Sequence, residues 1–309
     1  MNKNEMNKNE SNNELREILE NNALTRDLKK KIRKLIAFPG SNRAFIELLE
    51  LWHQSNELRP IIEAGLQRVL KQECLEKYGH AMLEVYCDIL AFLKSIYYPE
   101  EQGGSFSALT SAIERIIREN QWRCDYSIEK IRKYSQREYW PTETENDHSE
   151  NLDLFFRQLH KKSLEKGIQP DSSEKIKASM AISMAWSISK AVIGSYQTFQ
   201  VDEFTTKVIL VETPVTCVSG NLAVKHTDGF GVFVPEPDMM FIKLDNEFCD
   251  GIENATRYFS DNFSEKFKNK NFSWRISWAE NKDDIDIYAL KGPSASAALI
   301  VAGTQELAT

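Results

Sequence analysis

The sequence predicts an α+β protein with an all-α N-terminal part and a mixed C-terminal part. Between residues 15 and 134, apolar residues recur at spacings of three and four, which is typical of amphipathic helices. From residue 204 onward, β-branched and aromatic runs replace that period. The clearest strand signal is at residues 272–278, where large apolar residues alternate with polar ones. These patterns predict a helical module at 14–138 and a second part at 151–309.

The N-terminal part is predicted to be a helical interaction module. Residues 1–13 repeat MNKNE almost twice and are expected to be a disordered tail. Apolar stripes then predict helices, at residues 15–19, 28–36, 45–52, 58–75, 81–97, 109–117 and 128–134. Residues 139–150 contain proline, asparagine and threonine but few apolar residues, which predicts a linker.

The second part opens with two predicted helices, at 152–159 and 171–196. Met180 and Met184 mark an apolar stripe on the longer helix, which we interpret as a core brace between the two parts. Strands are predicted at 207–215, 222–234 and 239–244, with a hairpin turn at Asp228-Gly229. A helix capped by Asn246 follows, and its apolar stripe ends at Phe263.

The segment around Ser294 carries the strongest functional signal. An alternating strand at 284–290 is stopped by Gly292 and Pro293, and an alanine-rich helix follows. Ser294 is therefore expected at the helix N-terminus, where unpaired backbone amides stabilise an oxyanion or a phosphate. The alternative is that Ser294 only caps its helix, which serine often does.

This segment resembles the nucleophile segment of Lon-type serine peptidases, which reads Asp-Gly-Pro-Ser-Ala-Gly. Four consecutive residues, Gly292 to Ala295, match it. The preceding elements also follow the family's order, with paired strands, a helix and further strands before the serine helix. The resemblance covers about residues 204–309 and implies a partial Lon-like α/β domain, of the fold class shared with the second domain of ribosomal protein S5. It implies Ser294 as the catalytic nucleophile, Gly292 and Ala295 as the oxyanion cradle, and no cofactor or metal.

Three departures from the family pattern bear on activity. Lys291 stands where the family has aspartate, and Ser296 stands where it has glycine. The family's lysine base follows the serine helix, but residues 295–309 contain no lysine. Lys291 is a poor substitute, because Asp284 and Asp286 on the preceding strand favour its charged form. We therefore expect either a C-terminally incomplete peptidase domain or a degenerate relative that is inactive.

Composition bounds the remaining possibilities. The net charge of −7 argues against nucleic-acid binding by the whole surface, and the basic run at 26–34 is interpreted as the solvated face of a helix. No apolar run predicts a membrane span or a secretory signal, so a cytoplasmic location is expected. The five cysteines have no metal-site or disulfide spacing, and His53 and His80 are interpreted as structural. Protein or peptide partners are expected, with self-association as a further option.

Two other functions stay open from the sequence. The first is a non-enzymatic adaptor, in which the Lon-like part is a scaffold and the helical module recruits partners. The second is a small-molecule kinase of the galactokinase and homoserine-kinase superfamily, whose glycine-rich phosphate loop is loosely echoed at 292–298. Pro293 counts against the kinase because it removes a backbone N–H that such a loop needs.

Overall fold

A computed structural model describes residues 42–71, 77–139, 148–165, 172–196, 205–213, 216–240, 243–278, 289–290, 292 and 294–308. Outside these residues lie the predicted tail, the two helices before residue 41, the basic run at 26–34 and most of the linker. The strand at 284–288 and Lys291 also lie outside them. The described chain is a mixed α+β protein, as predicted.

The regular secondary structure in the described residues of the N-terminal part is entirely helical. Its helices are α1 (Asn42–Gln54), α2 (Arg59–Leu70), α3 (Lys77–Tyr97), α4 (Ser107–Glu119) and α5 (Asp125–Tyr134), followed by a 3-10 turn at Arg137–Tyr139. The predicted apolar stripe of α4 is confirmed, since Leu109, Ile113 and Ile116 are all fully buried. Burial of such a stripe, rather than intrinsic propensity, supplies most of the stability of a helix of this length.

Two further helices lead into the sheet. Helix α6 (His148–His160) continues into a π-helical turn at Lys161–Glu165, and α7 (Ser172–Val192) follows. Every residue of α7 from Ala178 to Ser189 is buried, which explains why it mixes small, apolar and serine residues without a polar face. Helix α7 packs on α1, α3, α4, α5 and α6, and also on the sheet part. Met180 and Met184 are buried in this helix.

Four strands form the main sheet. They are β1 (Thr205–Thr213), β2 (Thr216–Asp228), β3 (Phe233–Pro235) and β5 (Lys270–Trp278), in the order β1-β2-β5-β3. Strands β1 and β2 form an antiparallel hairpin, β2 pairs antiparallel with β5, and β3 pairs parallel with β5. Short strands β4 (Lys243–Leu244) and β6 (Ala289–Leu290) form a separate parallel pair.

Helices α8 (Asn246–Asn262), α9 (Ser264–Phe267) and α10 (Ala295–Ala308) complete the fold. Helix α10 packs on α8 and β2, and the ring of Phe248 in α8 contacts Trp274 of β5. The apolar face of the sheet is thereby covered. Buried hydrophobic residues from both parts of the chain join in one cluster that runs from Leu48 to Ala302.

The predicted hairpin at Asp228-Gly229 is wrong. The chain does reverse there, but β5 inserts between β2 and β3, so β3 has no hydrogen bonds with β2. The turn is held by β5 instead, because the Phe230 N–H donates to Asn271 Oδ1 at 2.8 Å. A Cβ at Gly229 would lie 1.9 Å from the Asn271 side chain, so glycine is required there for β5 to approach the turn.

Candidate functional site

Ser294 lies where the sequence places it, directly before α10. Its side chain is exposed, and its carbonyl oxygen accepts the Ala298 N–H at 3.4 Å, which begins the helix. Ala295, the other predicted cradle residue, is buried as the first residue of α10. Gly292 has a φ of +97°, a left-handed conformation that favours glycine. The chain therefore turns tightly between β6 and α10.

Asp245 is the residue that determines the chemistry of this turn. Its carboxylate caps α8 by accepting the Phe248 N–H at 2.8 Å. The same carboxylate accepts the Gly292 N–H at 3.1 Å and 3.2 Å, one contact to each oxygen. The Asp245 N–H in turn donates to the Leu290 carbonyl oxygen at 3.2 Å. One of the two predicted cradle amides is thus already bound to a negative charge.

Ser294 has no visible activating partner. Within the described part of the chain, no side chain hydrogen bonds to Ser294 Oγ, whereas a serine nucleophile needs a base within about 3 Å. Ser294 instead continues a stripe of small or uncharged exposed positions along α10, formed by Ala297, Val301, Thr304 and Ala308. Val301 is 47% exposed, while Leu299 is buried on the opposite side of the helix.

A buried polar cluster covers the other face of the sheet. Glu236, only 1% exposed, accepts a hydrogen bond from Arg275 at 3.1 Å and lies 3.6 Å from Lys225 Nζ. Ser273, also fully buried, contacts the hydroxyls of Tyr196 and Thr227 at 3.1 Å and 3.2 Å. Charges this deep in a fold persist only when they are paired and hydrogen-bonded. The cluster links β2, β3 and β5 to the segment that follows α7.

Charged groups also join α6 and α7 to the sheet at Asp228. Its carboxylate lies 3.2 Å from Lys270, 3.6 Å from Arg157 and 3.9 Å from Lys190. Partial burial alone would raise the pKa of Asp228, but the Lys270 hydrogen bond and the three positive charges outweigh burial and lower that pKa. Asp228 thus contributes to stability in its ionised form.

His160 and Ser179 form a pair that looks catalytic but is enclosed. His160 Nε2 lies 2.9 Å from Ser179 Oγ, and the imidazole stacks on the Phe230 ring with centroids 3.9 Å apart. Burial, followed by the charge of Lys175, lowers the pKa of His160 to about 3, so the ring is neutral. Ser179 is 4% exposed, which leaves a substrate no access. The pair is a structural contact between α6 and α7.

The described residues show no metal centre. Within them, no three His, Cys, Asp or Glu side chains come together as a metal site needs. His53 contacts the rings of Tyr97 and Tyr98. Cys87, Cys124 and Cys249 are free thiols, and burial raises the pKa of Cys87 and Cys124 to about 12. No helix in the described part is long and apolar enough to cross a bilayer.

Comparison with models of protein families, with curated proteins and with solved structures gave no match to this chain. Sequence reasoning found Ser294, Gly292 and Ala295, and the structure brings them together at the start of α10. It missed Asp245, because Asn246 beside it was taken as the helix cap. It also missed Glu236, whose partners Lys225 and Arg275 are distant in sequence.

Proposed function

We propose that this protein is a recruiting scaffold, in which a degenerate Lon-like domain supports a helical module that binds a protein partner. The observation that carries the proposal is the Asp245 carboxylate on the Gly292 amide. Catalysis by Ser294 would need that amide to face the developing oxyanion. The scaffold does not hydrolyse peptides, because the Asp245 carboxylate occupies the position in which the Gly292 N–H would bind the oxyanion.

The energies of the two opposing electrostatic effects at Gly292 favour the scaffold over a peptidase. One oxyanion-hole donor stabilises the transition state by about 2.7–4 kcal/mol. Two negative charges about 4 Å apart near a protein surface repel each other by about 4 kcal/mol. An oxyanion sharing the Gly292 N–H with ionised Asp245 would therefore gain nothing. The same repulsion counts against a phosphate at this turn, and hence against the small-molecule kinase.

A fluorophosphonate probe tests the absence of hydrolysis. Full-length wild-type protein, Ser294→Ala and Asp245→Asn are incubated with the probe and, separately, with unfolded casein. We expect no labelling and no cleavage by the wild type. Asp245→Asn keeps a helix-capping side chain but removes its charge, so labelling of this variant alone would identify the carboxylate as the block. Wild-type labelling that disappears in Ser294→Ala would refute the proposal and favour an active serine peptidase.

A further inference from the structure

A basic and aromatic stripe runs along one face of α5 and the turn after it. It is formed by Tyr126, Lys130, Lys133, Tyr134 and Arg137, which we call the α5 stripe. At about 100° per residue the four positions within α5 fall within roughly 100° of one another, and Arg137 follows in the 3-10 turn. The buried residues Ser127 and Ile131 lie on the side of α5 next to Tyr134, so the stripe borders the buried face. Lys133 and Arg137 are exposed and Lys130 is half-buried, whereas the Tyr134 ring also packs against the core.

Aromatic rings hold the cations of the stripe. Lys130 Nζ lies 5.5 Å from the centroid of Tyr126, and Lys133 Nζ lies 5.3 Å from that of Tyr134. The Arg137 guanidinium lies 5.7 Å from the ring of Phe106 in the neighbouring turn. A ring attracts a cation through its quadrupole and carries no net charge. These contacts restrict the side chains without cancelling their positive charges.

Carboxylates do not neutralise the stripe. Among the described residues, Lys130, Lys133 and Arg137 form no ion pair, in contrast to the adjacent Arg132, which pairs with Glu114 at 2.5 Å. Glu129 acts on Arg132, and Glu138 hydrogen bonds to Tyr139. Glu129 lies one turn before Lys133, but within the described residues neither glutamate forms an ion pair with a cation of the stripe. The positive charge is therefore available to a partner.

The π-helical turn after α6 extends this surface. Lys162 Nζ donates to the Tyr139 carbonyl oxygen at 3.3 Å and lies 5.4 Å from the Tyr139 ring. The Tyr139 ring contacts Tyr134 of the stripe, with centroids 5.1 Å apart. Lys161 beside it is exposed. Two more lysines thus adjoin the end of the α5 stripe.

We propose that the α5 stripe and Lys161-Lys162 bind a short acidic peptide segment of a partner protein. From Tyr126 to Arg137 the stripe is about 16 Å long, at about 1.5 Å per residue. An extended peptide of about five residues covers that length. Glutamate or aspartate side chains of such a segment would meet cations that are already oriented. This inference rests on the proposed recruiting role and names the partner's chemistry.

A peptide fits these observations better than a nucleic acid. The chain carries a net charge of −7, which repels a long polyanion beyond the reach of the stripe. A short acidic segment places its charge only where the protein is positive. Binding of single-stranded nucleic acid also relies on bases stacking on open aromatic rings. Here the rings of Tyr126, Tyr134 and Tyr139 already carry lysines of the protein itself.

Fluorescence anisotropy tests the inference with the full-length protein. The probes are a labelled peptide of about eight glutamates and a labelled single-stranded oligonucleotide of about the same charge, at low salt. Lys130→Glu/Lys133→Glu is compared with Lys266→Glu/Lys268→Glu, which makes the same charge change at exposed lysines remote from the stripe in sequence. Circular dichroism checks that both variants fold.

We expect the glutamate peptide to bind the wild type and the Lys266/Lys268 control alike, and the stripe variant at least about tenfold more weakly. Equal loss in both variants, or no peptide binding by the wild type, would overturn the inference. So would tighter binding of the oligonucleotide with the same dependence on Lys130 and Lys133, because the surface would then serve a nucleic acid. The proposed absence of hydrolysis is tested separately, since Ser294→Ala leaves these lysines unchanged.

Discussion

Replacing Asp245 with alanine should destabilise the sheet part of the protein more than any other single exposed or half-buried aspartate. The substitution removes an N-cap from α8, which costs about 1 kcal/mol. It also removes the charge-assisted bonds to the Gly292 amide, which contribute about 1.5 kcal/mol at a half-buried site. The expected loss in the free energy of unfolding is therefore about 2.5 kcal/mol.

Urea unfolding followed by tryptophan fluorescence measures this loss, and a thermal melt should show a Tm lower by about 5 °C. Asp245→Asn should lose only about 1 kcal/mol, because its amide oxygen still caps the helix. Asp250→Ala is the matched control, since Asp250 is an exposed aspartate on the same helix, and a change under about 0.5 kcal/mol is expected.

Hydrogen exchange at the Gly292 amide separates the two functions of Asp245. In the wild type this N–H is bonded to a carboxylate, and in Asp245→Ala its exchange should accelerate by about tenfold or more. Unchanged exchange would refute the geometry on which the proposed absence of catalysis depends. A loss of stability below about 1 kcal/mol in Asp245→Ala would do the same.

Three further predictions concern the packing of the two parts. The lowered pKa of Asp228 means that its contribution is complete above the ordinary aspartate range and is lost as the pH falls through the folded-state pKa. Asp228→Asn should therefore be less stable than the wild type at pH 7, and the difference should shrink as the pH falls through that range. A pH-independent difference in urea unfolding would contradict this. Gly303→Ala should lower the free energy of unfolding by about 1–3 kcal/mol, because the new Cβ would lie 2.8 Å from the Phe259 ring. An alanine in place of an exposed helical glycine usually stabilises a protein, so stabilisation here would show that the Phe259 ring moves aside. A fragment of residues 42–139 should melt without cooperativity, because it lacks α7, on which its helices pack. The longer fragment 42–196 includes α7 and should show a cooperative helical transition by circular dichroism. A cooperative melt of the shorter fragment would instead show that the helical module folds on its own.

The helices and the central strand could be predicted because their signals are local. The stripes of α4 and α6 and the alternation of β5 are properties of short segments, and their burial is confirmed. The burial of the polar side chains on the other face of β5 was less predictable. Alternation indicates one solvent-facing side, yet Ser273 and Asn271 are fully buried. Strand β5 lies inside the sheet, and Tyr196 and the Phe230 backbone hydrogen bond to these two side chains. The division of the chain into two parts by a linker at residues 139–150 stays a prediction.

The candidate site was only half predictable for a related reason. Ser294 and Gly292 are neighbours in sequence, so a short motif identifies them together. Asp245 lies far earlier in the chain and reaches Gly292 only because β4 and β6 pair side by side. Long-range contacts of this kind leave no periodic signal in one sequence. The same holds for Glu236 and its two cations, which three separate strands bring together.

The insertion of β5 between β2 and β3 has a consequence for how the chain folds. A local hairpin could form in microseconds, but here β2 and β3 must stay apart until a strand some 40 residues further along arrives between them. Closing that long loop costs entropy before any ladder hydrogen bond compensates for it. The sheet should therefore form late, after the locally connected helices. During synthesis, β1 and β2 would expose an unpaired edge until Lys270–Trp278 has left the ribosome.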